Sequence, residues 1–176
     1  MRYRAKDYIP SLIITMLILI VLEILSTAVI PIFGVSEYRL PFNILIVLYL
    51  ALKLEIPLIA IFILCLQYIH SFFSVEGWAA GTCAGILVSM IISTLRDVIH
   101  LSTASITIFT VQVFQLLWFS IVSTLLYISV GNFDEIIIRL WKFLPESIVL
   151  SFLSPFFFAI LDKIWIKGGG NFGDSI

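Results

Sequence analysis

Charge is scarce in this sequence. Only 12% of its 176 residues are Asp, Glu, Lys or Arg, while 61% are hydrophobic. A soluble domain carries about 25% charged residues and about 45–50% apolar ones. With a mean hydropathy of +1.17, the chain has too little polar surface to coat a water-soluble globule. Its apolar surface must face lipid. Cysteine is nearly absent too. Cys65 and Cys83 both fall inside apolar blocks and make neither a disulfide framework nor a metal motif. His70 and His100 have no acidic or thiol neighbour at ligand spacing. No Gly-rich phosphate loop, nucleophile elbow or basic run occurs, and ten basic against eleven acidic residues leave a net charge of −1. These absences argue against a soluble enzyme, a metalloprotein and a nucleic-acid binder. We expect no catalytic residue, cofactor or metal. There is no internal repeat and no linker to a second domain.

What is present is a series of apolar blocks. Six are legible: Ile9 to Ile30, Pro41 to Leu54, Ile56 to Phe73, Gly77 to Leu95, Ala104 to Val130 and Ser147 to Ile166. A spanning helix needs roughly 17–25 residues. The second block is short, because Lys53 ends it, and Pro57 marks the turn into the third. The first is too long for a signal-peptide core and lacks a small-residue cleavage site, so it reads as a helix. The expected fold is an all-α integral membrane protein with six transmembrane helices. Residues 1–166 form one polytopic membrane domain, and residues 167–176 (KGGGNFGDSI) a flexible cytoplasmic tail. With the N-terminus inside, Arg2, Arg4, Lys6, Lys53, Arg96, Lys163 and Lys167 are cytoplasmic, against Arg39, Arg139 and Lys142 outside. That asymmetry favours both termini in the cytoplasm. The basic lead MRYRAKDY can touch anionic lipid heads.

The fourth block opens with EGWAAGTCAG. Glycine is costly in a helix in water, yet Gly77, Gly81, Ala84, Gly85 and Ser89 share one face at helical spacing. In lipid, small residues let helix backbones approach closely. The stripe predicts a central, tightly packed fourth helix. It serves either packing within this chain or contact with a partner's transmembrane helix, and sequence does not separate the two.

Ionisable groups inside a bilayer face the bundle interior by default. Glu23 and His70 each sit about 14 residues into helices that run the same way, a depth of about 21 Å. Gln67 lies one turn below His70. We expect Glu23 to meet His70 or Gln67, as a structural polar clamp or as a protonatable or ligand-contacting site. Gln112 and Gln115, at i and i+3, can hydrogen-bond across helices or line a cavity with Gln67. Pro155 should kink the sixth helix.

FDEIIIRLWKFL, residues 133–144, has Ile136, Ile137, Leu140, Trp141 and Leu144 at helical spacing, with Asp134, Glu135, Arg139 and Lys142 opposite. This predicts an amphipathic helix lying flat at the outer interface with Trp141 as anchor, or one docking an extracytoplasmic partner. Trp78, Trp165, Tyr8 and Tyr38 sit near span ends, as aromatic belts do.

The layout resembles the bacterial rod shape-determining MreD family. The features that carry the resemblance are IFGVSEYRLPFNILIVLYLAL, with Gly34, Pro41 and Asn43, and the small-residue start of the fourth block in SVEGWAAGTCAG. The resemblance spans most of residues 9–166. One departure is that many members carry an aspartate near the end of the third span, where this chain has Gln67 and His70. The resemblance implies the six-helix fold of energy-coupling-factor transporter substrate-binding subunits and a place in the bacterial cytoplasmic (inner) membrane. It implies a non-enzymatic scaffold of cell-wall elongation that binds MreC and, through it, the RodA–transpeptidase synthase. The alternative is the substrate-binding subunit of an energy-coupling-factor type vitamin transporter, with Glu23, Gln67, His70 and Trp78 lining its pocket. An intramembrane enzyme is the least favoured of the three classes.

Overall fold

The computed structural model describes residues 8–29, 32, 38–54, 58–74, 77–95 and 103–166. Gly34, Pro57, Arg96, His100, the basic N-terminal lead and the tail from Lys167 lie outside the described residues. Six α-helices occur among those described: α1 Ile9–Ile24, α2 Phe42–Lys53, α3 Leu58–Ser71, α4 Trp78–Leu95, α5 Ala104–Val130 and α6 Phe133–Ile166. A π-helical turn, Leu25–Val29, extends α1.

Local chemistry sets several of the ends. Pro10 stands in the first turn of α1, where its missing N–H is no loss. The Thr103 hydroxyl accepts from the Ile106 N–H at 3.4 Å and caps α5. Gly131 closes α5 in the left-handed region, φ 69°, and donates to the Tyr127 carbonyl at 2.8 Å. Asn132 then accepts from the Asp134 N–H at 3.1 Å, and Asp134 and Glu135 occupy the first turn of α6, where acids complement the helix dipole. Two residues therefore turn the chain from one long helix into the next.

Four segments are long and apolar enough to cross a membrane: Ile9–Ala28, Trp78–Leu95, Ala104–Ser129 and Phe133–Trp165. The chain is thus an all-helical protein of multi-pass membrane character. Helices α2 and α3, of 12 and 14 residues, reach only about 18 and 21 Å at 1.5 Å per residue. The hydrocarbon layer is about 30 Å thick. Every residue of α2 from Phe42 to Ala51 is buried. The central helix is therefore α2 rather than α4, and its apolar run meets protein, not lipid. The exposed apolar residues lie instead on the other five helices, among them Leu17 and Val21 of α1, Ile61 of α3, Met90 of α4, Phe109 of α5 and Phe152 and Phe156 of α6.

One cavity is lined by the C-terminal ends of α1 and α3, the C-terminal half of α5, and the N-terminal parts of α2, α4 and α6. Successive helices thus alternate in direction. The opposite end of the bundle is closed by polar clasps. Tyr49 donates to Asp162 at 2.8 Å, and Lys53 pairs with Asp162 at 3.0 Å. The Trp165 indole donates to Thr15 at 3.1 Å, and Ser11 donates to the Ile164 carbonyl at 3.1 Å. Tyr8 packs against Trp165 at 6.2 Å between ring centroids, and both are buried. These two aromatics serve helix packing, whereas Trp78 and Tyr38 are exposed, as belt residues are.

The largest departure from the sequence reading is α6. Residues 133–144 are not a separate flat helix. They continue through Pro145 and Pro155 into one helix of 34 residues. Its apolar positions Ile137, Leu140 and Trp141 face outward, Trp141 at 72% exposure, while Arg139, Lys142, Phe143 and Glu146 line the cavity. Charged groups toward the cavity and apolar ones outward suit a helix standing upright in the bundle, not one lying flat on the membrane. The backbone groups freed by proline need partners there. The carbonyl that Pro155 leaves without a helical donor is that of Ser151, and the buried Ser154 hydroxyl donates to it at 2.7 Å.

Candidate functional site

The cavity has a volume of about 320 Å³, at the lower end of the range for ligand pockets. Its residues come from all six helices and the segments between them. The wall on α5 is largely apolar: Trp118, Phe119, Val122 and Leu126. Phe143 of α6 stacks on Phe119 at 4.7 Å. Much of the remaining lining carries charge.

Glu23 and His70 face each other there, Oε1 to Nδ1 at 2.7 Å. Glu23 is almost wholly buried, His70 partly so. A lone buried carboxylate is strongly penalised, and a short hydrogen bond to an imidazole relieves that cost. Glu23 sits just before the π-helical turn, and Thr27 within that turn donates to the Glu23 carbonyl at 2.7 Å. Such wide turns are frequent at functional sites. The buried Ser26 accepts from the Leu40 N–H at 3.2 Å, tying the turn to the segment that leads into α2. Arg39 donates from its guanidinium to the Phe73 carbonyl at 3.3 Å, and its N–H donates to Glu146 at 2.7 Å. Arg39, Arg139 and Lys142 face two carboxylates, Glu23 and Glu146, around the cavity.

Gln67 does not join Glu23. Its Oε1 accepts from the Asn43 amide at 3.4 Å. Asn43, the first polar residue of α2, stands alone among apolar neighbours, and nothing in that local sequence marks it as a site residue. The remaining halves of both amides, Asn43 Oδ1 and Gln67 Nε2, are buried and have no partner among the described residues, and both residues line the cavity.

Gln112 and Gln115 lie elsewhere. The Gln112 amide donates to Ser147 at 3.0 Å and accepts from Ser151 at 2.8 Å, and Gln115 donates to Ser151 at 3.3 Å. They join α5 to α6 and do not line the cavity with Gln67. Trp78 is also absent from its lining.

The small-residue stripe divides. Gly77 stands before α4 with φ 72° and open space around it. Gly81 lies against the Gln67 amide, and a Cβ there would collide with Gln67 Oε1. A Cβ on Gly85 would come within 2.7 Å of Ile63 and 3.0 Å of the Trp118 ring. Ala84 and Ser89 are buried. The close approach the stripe permits is thus made within this chain, to α3 and α5. Among the described residues no group of three His, Cys, Asp or Glu is placed to hold a metal ion.

No protein-family model, curated protein or solved structure matches this chain.

Proposed function

We propose that this protein is a non-enzymatic membrane scaffold of the bacterial cytoplasmic membrane, acting in cell-wall elongation in the manner of the MreD family it resembles. In this reading it crosses the membrane six times, with both termini cytoplasmic, and holds MreC beside the RodA–transpeptidase synthase. The observation that carries the proposal is the reach of α6. From Lys163, at the clasped end, to Trp141 is about 33 Å, and to Phe133 about 45 Å, at 1.5 Å per residue. That exceeds one hydrocarbon thickness. Beyond it stand Phe133, Ile137, Ile138 and Trp141, all exposed. Apolar side chains carried past the lipid interior suit a partner's juxtamembrane or extracytoplasmic segment, and exposed apolar clusters mark such contacts.

The cavity favours a second reading, the substrate-binding subunit of an energy-coupling-factor type transporter. A gentle-detergent pulldown of tagged protein, followed by mass spectrometry, distinguishes them. Recovery of a bitopic coiled-coil protein with a wall polymerase supports the scaffold. Recovery of paired ATPases with a coupling membrane subunit replaces it with the transporter reading. Ile137→Asp with Trp141→Asp should abolish recovery of the bitopic partner while leaving the yield of this chain unchanged.

A further inference from the structure

Beside the cavity lie two buried polar atoms that nothing among the described residues satisfies. Asn43 and Gln67 are 4% and 1% exposed, their amides are joined by one hydrogen bond of 3.4 Å, and Asn43 Oδ1 and Gln67 Nε2 are left over. An unmet buried donor or acceptor carries a penalty of about 1–3 kcal/mol, so native proteins leave few of them. Exchanging oxygen and nitrogen on both side chains leaves the same result. One amide always bonds the other, and one acceptor and one donor remain. The unmet pair is therefore a property of the arrangement, not of how each amide is oriented.

We propose that this cavity is a binding site for a small uncharged ring molecule with an N–H beside a C=O, a lactam edge. The N–H donates to one amide and the C=O accepts from the other. The ring lies against the apolar wall of Trp118, Phe119 and Val122, where flat molecules gain dispersion and stacking. Gly81 is part of the same design. With no Cβ it leaves the Gln67 amide in place beside Asn43, and any side chain there pushes the amide away. Both unmet groups are neutral amides, so the edge that meets them carries no charge. The site is independent of the scaffold reading and of its partners.

The probe is uracil, which has lactam edges and fits a cavity of this size. Its control is 1,3-dimethyluracil, which has the same ring but no N–H. Uracil at saturating concentration should raise the Tm of the detergent-purified protein by about 5 °C or more, and calorimetry should report binding. Dimethyluracil should bind at least about tenfold more weakly, as expected when a polar group loses its partner. Gln67→Leu should weaken uracil binding to the same degree. Because Gln67→Leu could disturb folding, Gly81→Ala provides the second test, since it displaces the amide without removing it. It should weaken uracil binding while the protein still elutes as a single folded species. Equal binding of uracil and dimethyluracil overturns the proposal, as does a wild-type protein that neither shifts nor binds with uracil. Binding of the hydroxylated, lactam-free probe glycerol in place of uracil also overturns it.

Discussion

Glu23 and His70 show how a single contact decides whether a buried charge is tolerable. Glu23→Gln keeps an oxygen that can accept from the His70 N–H, so it should preserve most folded yield in fluorescence-detected size exclusion. Glu23→Lys removes the acceptor and buries a cation beside the imidazole, and should lower that yield sharply. Equal tolerance of the two would mean that the pair is solvated. The two helical glycines separate by what faces them. Gly85 meets a branched side chain and a rigid indole ring, so Gly85→Ala should cost about 1–3 kcal/mol through overpacking. Gly81 meets the end of a flexible side chain, so Gly81→Ala should cost less. Thermal unfolding in detergent reads the difference. The depth of Glu23 and His70 was countable along their helices, which is why their pairing was legible in the sequence. Asn43 was not legible as a site residue, because a lone amide among apolar residues gives no hint of the helix it will meet.

At the scale of elements, serines do what capping groups and water do in soluble proteins. Ser154 donates to the carbonyl that Pro155 leaves behind. Ser154→Val should lower stability by about 1–3 kcal/mol, measured by thermal unfolding, and Ser154→Thr, which keeps the hydroxyl, should restore most of it. Ser151 accepts from Gln115 and donates to Gln112, and Ser151→Ala should cost about 0.6–2 kcal/mol, as single interhelical hydrogen bonds in membranes do. The α5–α6 turn was readable in advance, since Gly-Asn between apolar runs and followed by acids marks one helix end and the next start. The continuity of α6 was not. An amphipathic pattern reports that a helix has two faces, and not which face meets protein. Of the polar face of residues 133–144, Arg139 and Lys142 turn to a cavity formed with five other helices and their connections, and only the folded bundle supplies that cavity.

For the whole molecule, stability cannot rest on the hydrophobic effect alone, because lipid is as apolar as the core. Close packing around α2 and polar clasps at the far end must hold the bundle. If the six-crossing topology is right, reporter fusions at Met1 and Ile176 should report the same side and one at Asn132 the opposite side. Opposite results for the two termini would refute it. Membrane character and helical structure were legible along the chain, because hydropathy measures transfer out of water and helix periodicity is local, whereas the fusion of residues 133–144 with the sixth block was not. Tertiary structure decided which apolar helix faces lipid and which is enclosed, since transfer into protein and into lipid look alike along a chain. It also decided that Gln67 meets Asn43 and that Gln112 and Gln115 bind serines. A hydrogen bond between helices needs two groups at one height on facing sides, and facing sides exist only once the helices pack.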